Sequence, residues 1–223
     1  DEQRDTFGYR LYASHTLRLI DSAAGLAVTN PPEGQKMIDL DGVMVPDEGL
    51  RTPWGKQTSL ISLPYLLTGL ELGFDAQSAE IAWRIMQIQQ RRHGLRTPKP
   101  PVSTDYAEPA PDYVNDLPDR QPVQARNLRD EVPEKVAMTS TRTAFAWYAL
   151  FRNSWSEALR QQVLPLQVPG KGWQRGLNLN NSVNDVVDAD TNAIVLESLS
   201  YIAHGQMLCL ACLYTYPSAG ATP

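Results

Sequence analysis

Asp190-Thr191-Asn192-Ala193-Ile194-Val195-Leu196-Glu197-Ser198-Leu199-Ser200-Tyr201-Ile202-Ala203-His204 is the stretch on which the fold class turns. Asp190 can cap it, and the residues that follow are apolar on nearly every helical face, which predicts a central helix over 191–204. Gly205 then ends or bends the helix before a second apolar segment that runs to Tyr216. Glu197 breaks the pattern. It stands mid-helix, on a stripe at helical spacing with Ala193, Ser200, Tyr201 and His204. Such a stripe is a site if it faces a cavity and an ordinary outer face if it meets water, and spacing leaves both open.

Upstream, the periodicity is again helical. Ser140 begins a helix in which Ala144, Trp147, Tyr148 and Phe151 stand at i, i+3, i+4 and i+7. Ser154 with Glu157 has capping-box spacing and starts another, with Trp155, Leu159 and Val163 turned inward and Pro165 as its stop. Asp75 can cap Ala76 to His93, whose Ile81, Ala82, Ile85, Met86 and Ile88 form an apolar face, with Arg91 and Arg92 in the last turn and Gly94 as C-cap. Thr6 to Ser22 and Ser62 to Leu72 read as helices too, Pro64 being tolerable in the first turn of the second and Gly73 closing it. Val43-Met44-Val45 and Val186-Val187 are too short to build more than a hairpin. The expected class is all-α, with antiparallel helical hairpins at the short connections 73–75 and 153–154.

Composition bounds the rest. A chain of 223 residues, 42% hydrophobic and 20% charged, can bury a substantial core as a single helical domain over 1–223. Lys plus Arg is 20 against Asp plus Glu 25, so the net charge of −5 has the wrong sign for a protein held by phosphate contacts, and no nucleic acid is expected as partner. The mostly apolar run Met207 to Tyr216 is about half of the roughly 20 residues a membrane-spanning helix needs, so no transmembrane segment is expected. The start, Asp1-Glu2-Gln3-Arg4-Asp5, lacks the apolar run of a signal peptide, although a mature secreted chain reads the same after cleavage. Eight of the 17 prolines fall between Pro98 and Pro133. Composition allows a linker or a loop there; the interleaved Tyr106, Tyr113, Val123 and Leu128 give a loop something to bury, so 98–133 reads as a long Pro-rich loop over one domain.

Motifs with strict spacing are missing. There is no GxSxG, P-loop, GxGxxG or HExxH, and His15, His93 and His204 are far apart in sequence, so neither a metal site nor a cofactor is expected. Cys209-Leu210-Ala211-Cys212 is a CxxC without a second ligand pair, which leaves buried thiols, a disulfide or a redox pair open. Carboxylates are the better candidates for acid–base work. Asp105 and Glu108 lie in the Pro-rich loop beside Tyr106 and Tyr113, and Asp185, Asp188 and Asp190 crowd the entry to the 191–204 helix. Loop aspartates are also ordinary turn formers and N-caps.

Three blocks, Thr139 to Phe151, Gly172-Trp173-Gln174-Arg175-Gly176, and Asp190 to Tyr201, resemble consecutive blocks of a bacterial family, domain of unknown function family 3131. Together they span 136–206, and Leu66 to Phe74, with its Leu-Glu-Leu-Gly ending, and the Ser103 to Tyr113 loop are weaker matches. The resemblance implies a glucoamylase-like (α/α) toroid associated with exopolysaccharide and cell-envelope systems, hence a periplasmic or secreted setting. Here the toroid would be open, shortened or completed by a partner, because fewer helices are expected than a full ring needs. The chain departs from the family pattern in carrying Arg175 and Leu177-Asn178-Leu179 where an acidic residue is usual, and in having Trp54 followed by Gly55 rather than by Asp.

The function expected on these grounds is a carbohydrate-active domain acting on or binding a bacterial exopolysaccharide or envelope glycan. An enzyme of this kind would be a glycoside hydrolase or transglycosylase working through two carboxylates, Glu197 and Asp105, with Asp190 as substitute. Trp173, Tyr113 and Trp54 would stack on sugar rings, while Glu108 and Asn178 would bind hydroxyls. The alternative is a non-catalytic glycan-binding or structural subunit of an envelope or secretion assembly, as a homo-oligomer or with an envelope protein.

Overall fold

Ala144, Phe145, Ala146 and Trp147 are each at most 1% exposed, and the rest of the fold is arranged around them. A computed structural model of the chain describes residues 6–29, 34–40, 42–47, 50–52, 55–58, 62–90, 114–115, 138–178 and 181–208. In chain order these form α1 (Thr6–Arg18), α2 (Ser22–Thr29), β1 (Met37–Leu40), β2 (Val43–Pro46), β3 (Leu50–Thr52), β4 (Gly55–Thr58) and α3 (Ser62–Leu67). A π-helical turn (Thr68–Leu72) continues α3 and leads to α4 (Ala76–Gln89), β5 (Val114–Asn115), β6 (Met138–Ser140), α5 (Thr141–Leu150) and α6 (Ser154–Val163). A 3-10 turn (Leu164–Leu166), β7 (Gln167–Val168), β8 (Gly172–Trp173), β9 (Gly176–Asn178), β10 (Val183–Asn184) and α7 (Ala189–His204) complete the described chain.

α5 is the hub. It packs against α3, the π turn, α6 and α7, and α1 closes on α2, α3 and the π turn. Its near-continuous burial follows from composition: alanine lets neighbouring helices approach closely, while Phe145 and Trp147 fill the space between them. Trp147 meets Phe151 and Trp155 at ring-centroid distances of 5.9 and 6.2 Å.

The all-α, toroid-like expectation is overturned. Short antiparallel strands are built into the fold: the hairpin β1–β2, the hairpin β7–β8, and the three-stranded sheets β3–β4–β5 and β10–β9–β6. Two of them carry structural weight. β2 buries Val43 and Val45 beneath α4, and β6 pairs with β9 across more than thirty residues of chain, in the register Met138↔Asn178, Thr139↔Leu177, Ser140↔Gly176. Strands of two to four residues are too short for alternation to register, and two of the pairings, β4–β5 and β6–β9, join segments far apart in sequence. The region 98–133 lies outside the described residues apart from Val114–Asn115, which pairs with β4.

Helix ends show further differences. Asp75 is the N-cap of α4 as expected, with Ser78 closing a capping box. The box of α6 is Asn153 with Ser156, one residue ahead of the expected Ser154 and Glu157. α7 is capped by Asp188, whose side chain accepts from the Thr191 N–H at 2.7 Å, while Asp190 sits in the first turn. The helix expected over 6–22 stops at Arg18, because Leu19 to Asp21 form a turn before α2 begins at Ser22. Gly73 and Gly205 close their helices with positive φ, as expected.

Candidate functional site

The three sequence blocks meet at one junction. Asn192, in the first turns of α7, accepts from the Trp173 N–H at 2.7 Å and donates through Nδ2 to the carbonyls of Trp173 (3.0 Å) and Asp188 (2.9 Å). A Cβ on Gly172, whose φ is +106°, would come within 2.2 Å of Asn192 Oδ1, so only glycine lets the hairpin approach. Thr141 then ties α5 to the same loop: its N–H donates to the Arg175 carbonyl (2.8 Å) and its hydroxyl to the Gln174 carbonyl (2.6 Å). Arg175 pairs with Asp188. Burial pushes the Asp188 carboxyl up, but the Thr191 N–H and Arg175 outweigh it and the net direction is down.

The second constellation has the makings of acid–base chemistry. α1, the π turn and α7 converge, and each supplies one half-buried polar side chain: Tyr12, Glu71 and Glu197. The Tyr12 hydroxyl donates to Glu71 Oε2 at 2.5 Å. Burial, the bond to Glu71 and the charges of Glu71 and Glu197 together hold the Tyr12 phenol far above the usual tyrosine range. Burial first, and the negative charge of Glu71 second, push the Glu197 carboxyl up. Glu197 Oε2 is buried without a hydrogen-bond partner. The π turn that carries Glu71 is a kind of helix distortion that recurs at functional sites.

One helical turn along, α1 grips the same segment again. Buried His15 places Nδ1 against the Leu11 carbonyl (2.8 Å) and Nε2 against Asp75 Oδ2 (3.0 Å), and Arg18 reaches the same oxygen at 2.9 Å. The His15 bond above all, with the Ser78 and Arg18 bonds, holds the Asp75 carboxyl well below the ordinary carboxylate range despite its burial.

Of the residues expected from sequence, Glu197 joins this cluster, and Asp190 is exposed in the first turn of α7. Trp173 is partly buried, edge-on to Phe145 at 5.4 Å, with its indole Nε1 unpartnered. Asn178 donates to the Ser182 hydroxyl at 2.8 Å and keeps a buried, unpartnered Oδ1. Asp105, Glu108, Tyr113, Trp54 and both cysteines lie outside the described residues. Sequence reading missed Tyr12 and Glu71. The signal for Glu71 was a lone acid in the apolar helical run Leu66 to Leu72; Tyr12 carried none. Among the described residues no group of three or more His, Cys, Asp or Glu side chains is placed to hold a metal, and no helix is long and apolar enough to cross a membrane.

Residues 1–205 match the family described as protein of unknown function (DUF3131). The chain belongs to this family. The DUF3131 match takes in α1, the π turn and α7, so the whole Tyr12–Glu71–Glu197 cluster lies within the family domain. No curated protein and no solved structure matches the chain.

Proposed function

We propose that this DUF3131 domain is a glycoside hydrolase or transglycosylase acting on a bacterial exopolysaccharide or cell-envelope glycan, in a periplasmic or extracellular setting. The observation that carries the reading is the unequal carboxylate pair: Glu197 is driven towards its protonated form by burial and by Glu71, while Glu71 accepts the Tyr12 hydroxyl. Glycosidic cleavage needs that inequality. Glu197 donates its proton to the leaving oxygen as the C1–O bond breaks. Glu71 either takes a proton from the water that attacks C1 or attacks C1 itself, with water completing the second step. Glu71 thus fills the role that sequence assigned to Asp105. The sugar-contact roles proposed for Trp173 and Asn178 remain part of this reading, supported by the unpartnered polar atom each carries.

The test is release of reducing ends from a panel of bacterial exopolysaccharides and envelope glycans. Turnover that falls by about 100-fold or more in Glu197→Gln and in Glu71→Gln is expected, the usual scale for loss of a general acid or base. Turnover unchanged in both variants would end the proposal.

A second reading, a non-catalytic subunit of an envelope assembly, is favoured by one feature. The outer face of α7 leaves Leu196 62% and Leu199 38% exposed, beside exposed Ala193 and Ala203. Sedimentation separates the readings, since obligate self-association without glycan turnover belongs to the subunit.

A further inference from the structure

We infer that Tyr12 is a positioning residue, holding Glu71 in place against Glu197 so that the two carboxylates keep different roles. This rests on the acid–base reading of the site and extends it to the N-terminal helix. The geometry is specific. A single hydroxyl reaches across from α1 to Glu71 Oε2 at 2.5 Å, and Glu71 has its own backbone fixed by the Leu208 N–H, which donates to its carbonyl at 2.8 Å. The helix carrying the tyrosine cannot drift, because His15 and Arg18 fasten it to Asp75, four residues beyond Glu71. Two clasps therefore join one face of α1 to 71–75, and only the first touches the proposed catalytic pair.

A carboxylate on a helix turn has free rotation about its terminal bonds and, unless held, swings toward water, where solvent screens its charge. With the tyrosine bond in place the charge stays where it raises the proton affinity of Glu197. Burial and both carboxylates push the Tyr12 phenol up, so it stays a donor through the neutral range where the two carboxyls differ. It takes no part in bond making. Its contribution is to fix which carboxyl carries the proton when the glycan arrives.

The experiment is a carbon-13 NMR titration of the Glu197 carboxyl in the full chain, comparing wild type with Tyr12→Phe, Tyr12→Leu and Glu71→Gln. Phenylalanine keeps the ring and leucine keeps an apolar fill, so the two tyrosine variants remove the donor with different packing. The Glu197 midpoint is expected above the ordinary glutamate range in wild type, lower in Glu71→Gln, and lowered in the same direction in both tyrosine variants. A midpoint that falls in Glu71→Gln and stays at its wild-type value in the tyrosine variants would overturn the inference. On a glycan that turns over, Tyr12→Phe is expected to reduce kcat on the order of 10-fold with KM little changed. Absence of glycan turnover defeats the hydrolase reading alone, because the titration decides the role of Tyr12 without it.

Discussion

Asn192 shows how much one side chain can organise. Its amide bridges α7 to both backbone groups of Trp173, and Asn192→Ala leaves those two groups without their partner and the Asp188 carbonyl with the backbone N–H of residue 192 alone. Each bond contributes about 1 kcal/mol, so a loss of about 2 to 3 kcal/mol is expected in urea denaturation, with the Trp173 hairpin loosened first in hydrogen exchange. Gly176 is as constrained. A Cβ there would stand 2.2 Å from the Thr139 carbonyl oxygen, which belongs to a paired strand and cannot yield, so Gly176→Ala is expected to cost more than Asn192→Ala by the same measurement. Glu197 works in the opposite direction. Its proton affinity is raised by folding, so its carboxyl favours the native state below the ordinary glutamate range, and this contribution is lost as pH rises through its folded midpoint. Glu197→Gln is therefore expected to raise the melting temperature near neutrality and to converge on wild type in acid, while turnover falls.

At the scale of elements, the helices were legible because they are long and periodic. The core positions of α4 and α5, with Ile81, Ile85 and Ile88 and with Ala144 and Trp147, face inward as their spacing implied. The caps slipped by one or two residues, from Ser154 to Asn153 and from Asp190 to Asp188, because runs of polar residues ahead of a helix offer several equivalent oxygens and only tertiary contacts choose among them. For α7 that contact is Arg175, which pairs with Asp188. Val43 to Val45, read as enough for a hairpin and no more, lies in β2 of one, but β6 and β9 were illegible for a different reason: they exist because α5 and the Trp173 loop are docked, and neither has enough residues to announce itself. The α1 clasp was hidden as well, since His15, Arg18 and Asp75 come together only in the fold. Asp75→Asn should expose its weight. The carboxyl is held below its unfolded value, so its stabilisation is present above the ordinary aspartate range and lost as pH falls through and beneath it. At pH 7 the variant is expected to be less stable by on the order of 2 kcal/mol, the scale of hydrogen bonds to a charged group, and the gap to wild type is expected to narrow on acidification.

For the molecule as a whole, α5 is the element on which α3, the π turn, α6 and α7 all pack. Trp147 is fully buried between Phe151 and Trp155, so Trp147→Ala opens a large cavity and is expected to cost about 3 to 5 kcal/mol, seen as a lower denaturant midpoint or as failure to fold. In wild type the slowest amides to exchange are expected in α5 and the buried face of α7. The family match over 1–205 takes in both that hub and the carboxylate cluster, with the acids on elements that α5 and α1 hold in place. One of the three cluster residues could be read from sequence: Glu197 was conspicuous as a lone acid on an apolar helix, whereas Glu71 and Tyr12 acquire meaning only where three helices converge. The most direct test is therefore the pH dependence of reducing-end release by wild type and Glu197→Gln across the glycan panel. Wild-type turnover is expected to decline on the alkaline side as Glu197 loses its proton, and that limb is expected to vanish with the activity in the glutamine variant. A wild-type chain that releases no reducing ends from any glycan, or a Glu197→Gln profile that overlays the wild type, would contradict it.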